Sequence, residues 1–448
     1  MREDWGVLKL EDVSKRITKG ATPTSYGFDF QNNGINFLKV ENVKGGIIDV
    51  NSIRDFISIE AYNYLGKSQL ESGDILFSIA GTIGNICLVK DNILPANTNQ
   101  AFAIIKGVYK EILTDFVMWQ LKYFVDKIKI KSRGGAMMNV SLQDLKDFQL
   151  IISPTTEQRA IVKKLESLFS SLDAGVADLK KAQQQLKIYR QAVLKKAFEG
   201  GNEMKLSSCC IKAEKVNRRN IELESSLKYI DIGSIDNKLN KIIGFKEYLW
   251  KDAPSRAQQI IKNGDILFST VRTYLRNIAQ VESDIYENEI CSSGFTVLRA
   301  DDTKLLNKYL FHFTLYNGFL DKLGELQTGT SYPAVRDKDV FDQLIPLPSV
   351  EEQHQIVKQI ESRLSVCDSI EQNIKESLVK AEALRQSILK KAFEGNLLTA
   401  QELAECKLAE DYEPASVLLE RIKAEQNNVT AKPQKRNNNK NSHIVAKY

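Results

Sequence analysis

Arginines and lysines grouped around short turns are the residues of this 448-residue sequence best suited to chemistry. Arg272 and Arg276 bracket a turn with Tyr274 between them, and Arg218 and Arg219 stand side by side. A guanidinium is a planar fork of donors that fits a phosphate or the acceptor edge of guanine. Arg16 and Lys19 lead into a Gly-x-x-Pro turn at Gly20, and Lys129, Lys131 and Arg133 run into Gly134-Gly135. Lys39 and Arg336 complete the candidate set. These residue types predict contact with a polyanion. A single lysine or arginine is more often an ordinary solvated surface residue. Basic turns in both halves of the chain raise Arg272 and Arg276 above that reading.

The constellations that carry catalysis are missing. Three histidines and six cysteines, with no Cys-x-x-Cys pair, are too few for the three or four converging ligands of a zinc site. The sequence contains no Gly-x-x-x-x-Gly-Lys-Ser/Thr phosphate loop, no Gly-x-Gly-x-x-Gly, no His-Glu-x-x-His and no Asn-Pro-Pro-aromatic element. Gly81-Thr82-Ile83-Gly84 lacks the Lys-Ser/Thr of a phosphate cradle, so its glycines predict a hairpin turn. Neither catalytic nor metal-binding residues are assigned, although abundant Asp and Glu leave an unrecognised carboxylate site as a minor alternative. No apolar run approaches the roughly 20 residues that span a bilayer. Met1 is followed by Arg2, Glu3 and Asp4 rather than a secretory signal, so the expected location is the cytoplasm. The net charge of +5 permits a polyanionic partner without requiring one.

These residues are positioned by a chain that repeats itself. Glu157–Gly200 aligns without gaps on Glu352–Gly395 at an offset of 195, with 19 of 44 positions identical, far beyond chance. RQAVLKKAFEG from Arg190 returns as RQSILKKAFEG from Arg385. In both copies apolar residues recur at steps of three and four in a narrow stripe, which predicts one long helix with a coiled-coil seam. Thr155-x-x-Gln158 and Ser349-x-x-Glu352 fit capping boxes at the start, and Gly200 and Gly395 fit left-handed caps at the end. Such a helix would be a rod of roughly 66 Å that cannot stand alone in water.

The segments before each helix are weaker copies of one another. GDILFS at Gly73 recurs at Gly264, INFLKVENV at Ile35 resembles LKYIDIGSI at Leu227, and GGAMMNVSLQDL at Gly134 resembles TGTSYPAVRDKDV at Thr328. Short β-rich runs with Gly, Asn and Asp turns precede helical patches at Asp115–Lys129 and Thr303–Lys322. The fold class expected is α+β: two mixed α/β domains with curved or barrel-like sheets, separated by two long antiparallel coiled-coil helices with a pseudo-two-fold relation. The expected boundaries are 1–153 and 201–347 for the globular domains and 154–200 and 348–396 for the helices. An amphipathic helix over Glu413–Gln426 and a disordered stretch from Asn427 are expected within 397–448.

EQRAIVKKLE after a Pro-containing strand end, RQAVLKKAFEG, and the repetition of both after a second globule resemble the DNA-specificity subunit of type I restriction-modification systems. The second copy opens QLIPLPSVEEQ in the manner of that family's helical regions, and Glu413–Ile422 resembles its C-terminal stretch. The first copy has Ile151-Ile152-Ser153-Pro154 where the family prefers two prolines. The resemblance implies two target-recognition domains, each reading half of a split double-stranded DNA target. It implies a non-catalytic chain partnered by two modification subunits, which bind S-adenosylmethionine and methylate adenine, and by two motor-nuclease subunits using ATP and Mg. The alternative is a coiled-coil scaffold without DNA specificity.

Overall fold

The two copies of GDILFS become inner strands of two four-stranded antiparallel sheets. The computed structural model describes residues 2–131, 140–329 and 332–430, with only the backbone described at 126–131 and 426–430. The chain divides into two compact units, Met1–Val176 with Val379–Tyr448, and Ala177–Leu378.

In the first unit Ile75–Ser78 lies between Phe102–Val108 and Ile86–Leu88, and Ser14–Lys19 flanks Phe102–Val108. Ile75 and Phe77 enter one core, with Val117 and Leu121 of the helix Thr114–Lys131. Leu76 enters another, with Leu38, Cys87 and Ile104. A strand buried on both faces requires an unbroken apolar run, which Ile-Leu-Phe supplies. The preceding Asp74 is also buried. It accepts the backbone N–H of Glu71 at 2.9 Å and pairs with Lys106 at 3.2 Å, so its charge is matched.

The second unit repeats this arrangement. Ile266–Ser269 lies between Phe295–Ala300 and Ile278–Gln280, with Cys210–Lys212 beyond. Asp265 is held by Arg299 through two bonds, at 2.9 and 2.8 Å. The resemblance between Ile35 and Leu227 also has a structural counterpart. Ile35–Leu38 pairs in parallel with Ala96–Thr98, and Ser226–Ile230 pairs in parallel with Ile290–Ser292.

The helical patch Thr303–Lys322 departs from expectation by forming two helices, Asn307–Thr314 and Asn317–Glu325. The break has a tertiary cause. Gln191 accepts from the Asn317 N–H at 2.9 Å and donates to the Leu315 carbonyl at 3.1 Å, occupying backbone groups at the junction.

Both long helices form, over Thr155–Ala197 and Val350–Glu394. Each contributes one part to each unit, and within each unit the two parts run antiparallel. In the first unit Ile161, Leu165 and Phe169 share a core with Ile388, Leu389 and Phe393. In the second, Val193, Leu194 and Phe198 share one with Val357 and Ile360. Each such residue, fully buried, contributes roughly 1.5–3 kcal/mol. Gly200 and Gly395 both adopt φ of 84°, the left-handed conformation expected of the helix ends.

The starting signals divide. Ser349 and Glu352 make the expected reciprocal box, with the Ser349 N–H donating to Glu352 at 2.9 Å and the Glu352 N–H to Ser349 Oγ at 3.3 Å. Thr155 instead donates to the Glu111 carbonyl, while Gln158 donates to the Ser153 carbonyl and accepts the Leu113 N–H at 3.0 Å. The first helix therefore uses its opening polar residues to bind the adjoining domain.

The C-terminal helix runs over Ala415–Thr430, past Asn427, where composition marks a disordered tail. Residues 431–448 lie outside the described residues. Leu418 and Ile422 join Leu8 and Leu10 in the first unit's core. Gly6 lets this helix approach closely, since a Cβ there would fall 2.1 Å from Leu419 Cδ1 and the leucine would have to move aside. A further helix, Ala400–Leu408, has no counterpart in the sequence expectation. Among the described residues no helix is long and apolar enough to cross a membrane.

Candidate nucleic-acid interface

Between Ile266–Ser269 and Ile278–Gln280 the chain makes the turn that carries Arg272, Tyr274 and Arg276. Arg272 has φ of 51° and Arg276 φ of 55°, both left-handed. For a residue with a Cβ this costs roughly 1–2 kcal/mol. The corresponding turn of the first unit, between Ile75–Ser78 and Ile86–Leu88, is the expected hairpin. It places glycines in the left-handed region, Gly81 at 72° and Gly84 at 85°. One unit thus makes with glycine what the other makes with arginine.

The strained turn is held from several sides. The Arg272 N–H donates to the Pro333 carbonyl at 2.7 Å, and its guanidinium lies 4.6 Å from the Tyr332 ring centroid. Arg276 Nη2 donates to Asn317 Oδ1 at 2.6 Å. Thr273 is buried beneath, leaving Tyr274 and Leu275 exposed at the tip. A cleft of about 390 Å³ beside the turn is lined by Tyr274, Arg276, Asp321, Glu325 and Gln327 among others. Donors, acceptors and an aromatic face therefore stand together, a mixture suited to base edges. Asn317 and Tyr332, which aim the two guanidiniums, carried no sequence signal of this role, because their partners are distant along the chain.

The remaining candidates divide by what they already hold. Arg16 and Lys19 are exposed on the strand Ser14–Lys19, and neither side chain has a hydrogen-bond or ion-pair partner among the described residues. Arg219 is also exposed, in the turn Arg218–Asn220. Arg218 donates to the carbonyls of Pro254 and, at 3.3 Å, Ala257, and its guanidinium lies 5.7 Å from the Trp250 ring centroid. Lys39 pairs with Asp55 at 2.8 Å. Arg336 forks onto Asp339 at 3.0 and 2.7 Å, and that hydrogen bond holds the Asp339 carboxyl below its ordinary range. These three are tied internally. The side chains of Lys129 and Lys131, and the whole of Arg133, lie outside the described residues.

A family model for the type I restriction modification DNA specificity domain matches this chain twice, over residues 2–182 and 203–380. The chain belongs to that family. It is a specificity subunit of the type I restriction-modification kind, with two DNA specificity domains, and not an enzyme in its own right. It is 29% identical over 350 residues to the EcoDI specificity subunit of Escherichia coli, covering 70% of this chain and 77% of that one. It is 25% identical over 463 residues to the EcoBI specificity subunit of the same species, covering 94% of each. Among solved structures, the HsdS subunit of Thermoanaerobacter tengcongensis aligns with a TM-score of 0.56 at 20% identity, over 89% of this chain and 98% of that one. A chain from a study of complex assembly and conformational transition of the type I R-M system aligns with a TM-score of 0.69 at 20% identity, over 89% and 99%. The specificity-domain fold therefore extends across both units, each with its own sheet and turn.

Proposed function

We propose that this specificity subunit reads a split double-stranded DNA target, one half-site per domain, and presents it to partner subunits that methylate adenine and cleave. The observation that carries this reading is the doubled domain: one polypeptide has the same sheet twice, with the turn beside GDILFS built from glycine in one copy and arginine in the other. Two scaffolds of one plan with different turns suit two different half-sequences. In this reading 1–153 and 201–347 are the recognition domains, and 154–200 and 348–396 are helical spacers that set the distance between half-sites.

The partners in this reading are two modification subunits, which bring S-adenosylmethionine, and two restriction subunits, which bring ATP and Mg, in the cytoplasm. Arg272, Tyr274 and Arg276 are the contacts proposed for the second half-site, and Arg219, on a separate turn of the same domain, is proposed as a further one. Arg16 and Lys19 are proposed contacts of the first domain. Lys129, Lys131 and Arg133 remain candidates from their sequence alone, and Lys39, Arg218 and Arg336 would have to exchange an internal partner for DNA.

Spacer length is the direct test. Inserting or deleting two helical turns in both long helices, followed by methylome sequencing of a host carrying the complete system, should change the number of bases between half-sites while the bases read stay the same. An unchanged spacer would defeat the reading. Binding should weaken steeply with salt as phosphate counterions are released, whereas a scaffold without DNA specificity would show no such dependence.

A further inference from the structure

A socket that is filled in the first unit is open in the second. In the first unit Trp5 is buried with Phe116, Ile161, Leu165, Ile388 and Ala392. Its indole N–H donates to Glu157 Oε2 at 2.8 Å, and Arg2 donates to the same oxygen at 3.2 Å. At the repeat offset of 195, Ile161, Leu165, Ile388 and Ala392 correspond to Ile356, Ile360, Val193 and Ala197, and Glu157 corresponds to Glu352. Tyr309 takes the place of Phe116: Phe116 meets Phe393 at 5.8 Å, and Tyr309 meets its repeat partner Phe198 at 5.1 Å. In the second unit all of these counterparts, Val193, Ala197, Tyr309, Glu352, Ile356 and Ile360, line a cleft of about 520 Å³.

Strand register explains the opening. Val7 pairs with Ile151, and Glu203 pairs with Pro346, the repeat position of Ile151. Two residues earlier, Trp5 therefore corresponds to Gly201, which supplies no side chain. The first unit also covers its socket from outside with Ala400–Leu408, whose Leu403 packs onto the core and whose Glu402 accepts from Lys164 at 2.6 Å. The matching strip of the second long helix, His354, Gln355, Lys358 and Gln359, is exposed.

We propose that this cleft of the second unit is a docking socket for a segment of a partner polypeptide that inserts an aromatic side chain, tryptophan above all. Charge complementarity defines the rest of the segment. Glu352 is exposed and spends one oxygen on Ser349, leaving the other for an indole N–H or a cation in the manner of Glu157. His354 stands at the repeat position of Arg159, which pairs with Asp411, and with Lys358 one turn on it calls for an acidic helical turn, while Gln359 replaces Lys164 and offers a neutral donor. Because Trp5 already fills the first unit's socket, each chain takes one such segment. The inference uses only contacts internal to each unit and stands apart from the DNA reading.

The chain's own N-terminus provides the probe. A synthetic peptide of residues 2–9, Arg-Glu-Asp-Trp-Gly-Val-Leu-Lys, carrying 5-fluorotryptophan, is titrated with the full-length chain and followed by fluorine NMR. Saturable binding of one peptide per chain is expected. It should weaken roughly tenfold in Glu352→Gln, which keeps the helix cap but removes the charge, and vanish in Ala197→Phe, which fills the socket. Circular dichroism and a thermal melt establish that both variants are folded. The proposal is overturned if millimolar peptide does not bind, if Ala197→Phe binds equally, if a tryptophan-to-alanine peptide binds as well, or if two peptides bind. Free indole binding as tightly as the peptide would make the cleft a small-molecule site and would likewise overturn it.

Discussion

Arg190 Nη2 donates to Asp368 Oδ1 at 2.7 Å, linking the two long helices within the second unit. At the repeat offset of 195, Arg190 becomes Arg385 and Asp368 derives from Asp173, and Arg385 and Asp173 are ion-paired in the first unit. Duplicated helices paired in parallel would set each residue beside its own image. The same pair formed twice with the helices exchanged is the signature of antiparallel pairing.

Glu371 also accepts from Arg190, at 2.9 Å, so one guanidinium serves two carboxylates. The carboxylates are well exposed, and pairs of this kind are worth about 0–1 kcal/mol. Arg190→Ala should therefore lower stability by no more than about 1 kcal/mol. Arg190→Glu should cost more, by placing three acids together, and Asp368→Arg should restore part of the loss. Urea midpoints at low and high salt check this: the charge-reversal penalty should shrink as salt screens it.

The helices and the inner strands are legible in the sequence because each is written in local terms. A narrow apolar stripe specifies a paired helix, and Ile-Leu-Phe after Gly-Asp specifies a strand buried on both faces. What escapes a local reading depends on partners far along the chain. Gln158 fits a helix cap by spacing but bonds Leu113, and Gln191 divides a helical patch more than a hundred residues away. The basic turns stand out by composition, yet sequence alone does not separate Arg219, which is exposed, from Arg336, which is committed to Asp339. The left-handed backbone at Arg272 and Arg276 is equally hidden, since arginine does not advertise positive φ as glycine does.

Trp5 should be among the most destabilising residues of the first unit to remove. It is 6% exposed, and its N–H donates to Oε2 of Glu157, a carboxylate with no exposed side-chain surface. Trp5→Ala should cost about 3–5 kcal/mol through the cavity left behind. Trp5→Phe keeps most of the volume and loses the hydrogen bond, so about 1–3 kcal/mol is expected. Chemical unfolding of the three proteins separates packing from hydrogen bonding, and equal losses in both variants would contradict this division.

His312 gives the second unit an acid-sensitive point. Burial pushes its pKa down from 6.5 to about 4, with Glu361 opposing and Lys308 reinforcing the shift. The folded protein therefore holds His312 neutral at a pH where the unfolded chain is protonated. Its contribution is fully present above pH 6.5 and is lost as pH falls from there towards 4. At 1.36 kcal/mol per pKa unit, the loss approaches about 3 kcal/mol. His312→Phe should flatten the decline in unfolding free energy over that interval and leave the neutral-pH slope unchanged. An identical decline in wild type and variant would place the acid sensitivity elsewhere.

The turn at Arg272–Arg276 should separate stability from recognition. Glycine at either position releases left-handed strain worth roughly 1–2 kcal/mol, offsetting the lost contact with Tyr332 or Asn317. Arg272→Gly and Arg276→Gly are thus expected to unfold within about 1 kcal/mol of wild type. Discrimination of the second half-site should nevertheless fall by about 1–3 kcal/mol per base contact removed, with the first half-site unaffected. Tyr274→Ala, at the exposed tip, should weaken binding without a comparable loss of stability. The measurement is competition binding of the assembled complex to targets altered in one half-site at a time, paired with urea unfolding of each variant. An equal loss of affinity on random DNA would make the arginines phosphate contacts. Unchanged discrimination would leave the strained turn without a role in reading sequence.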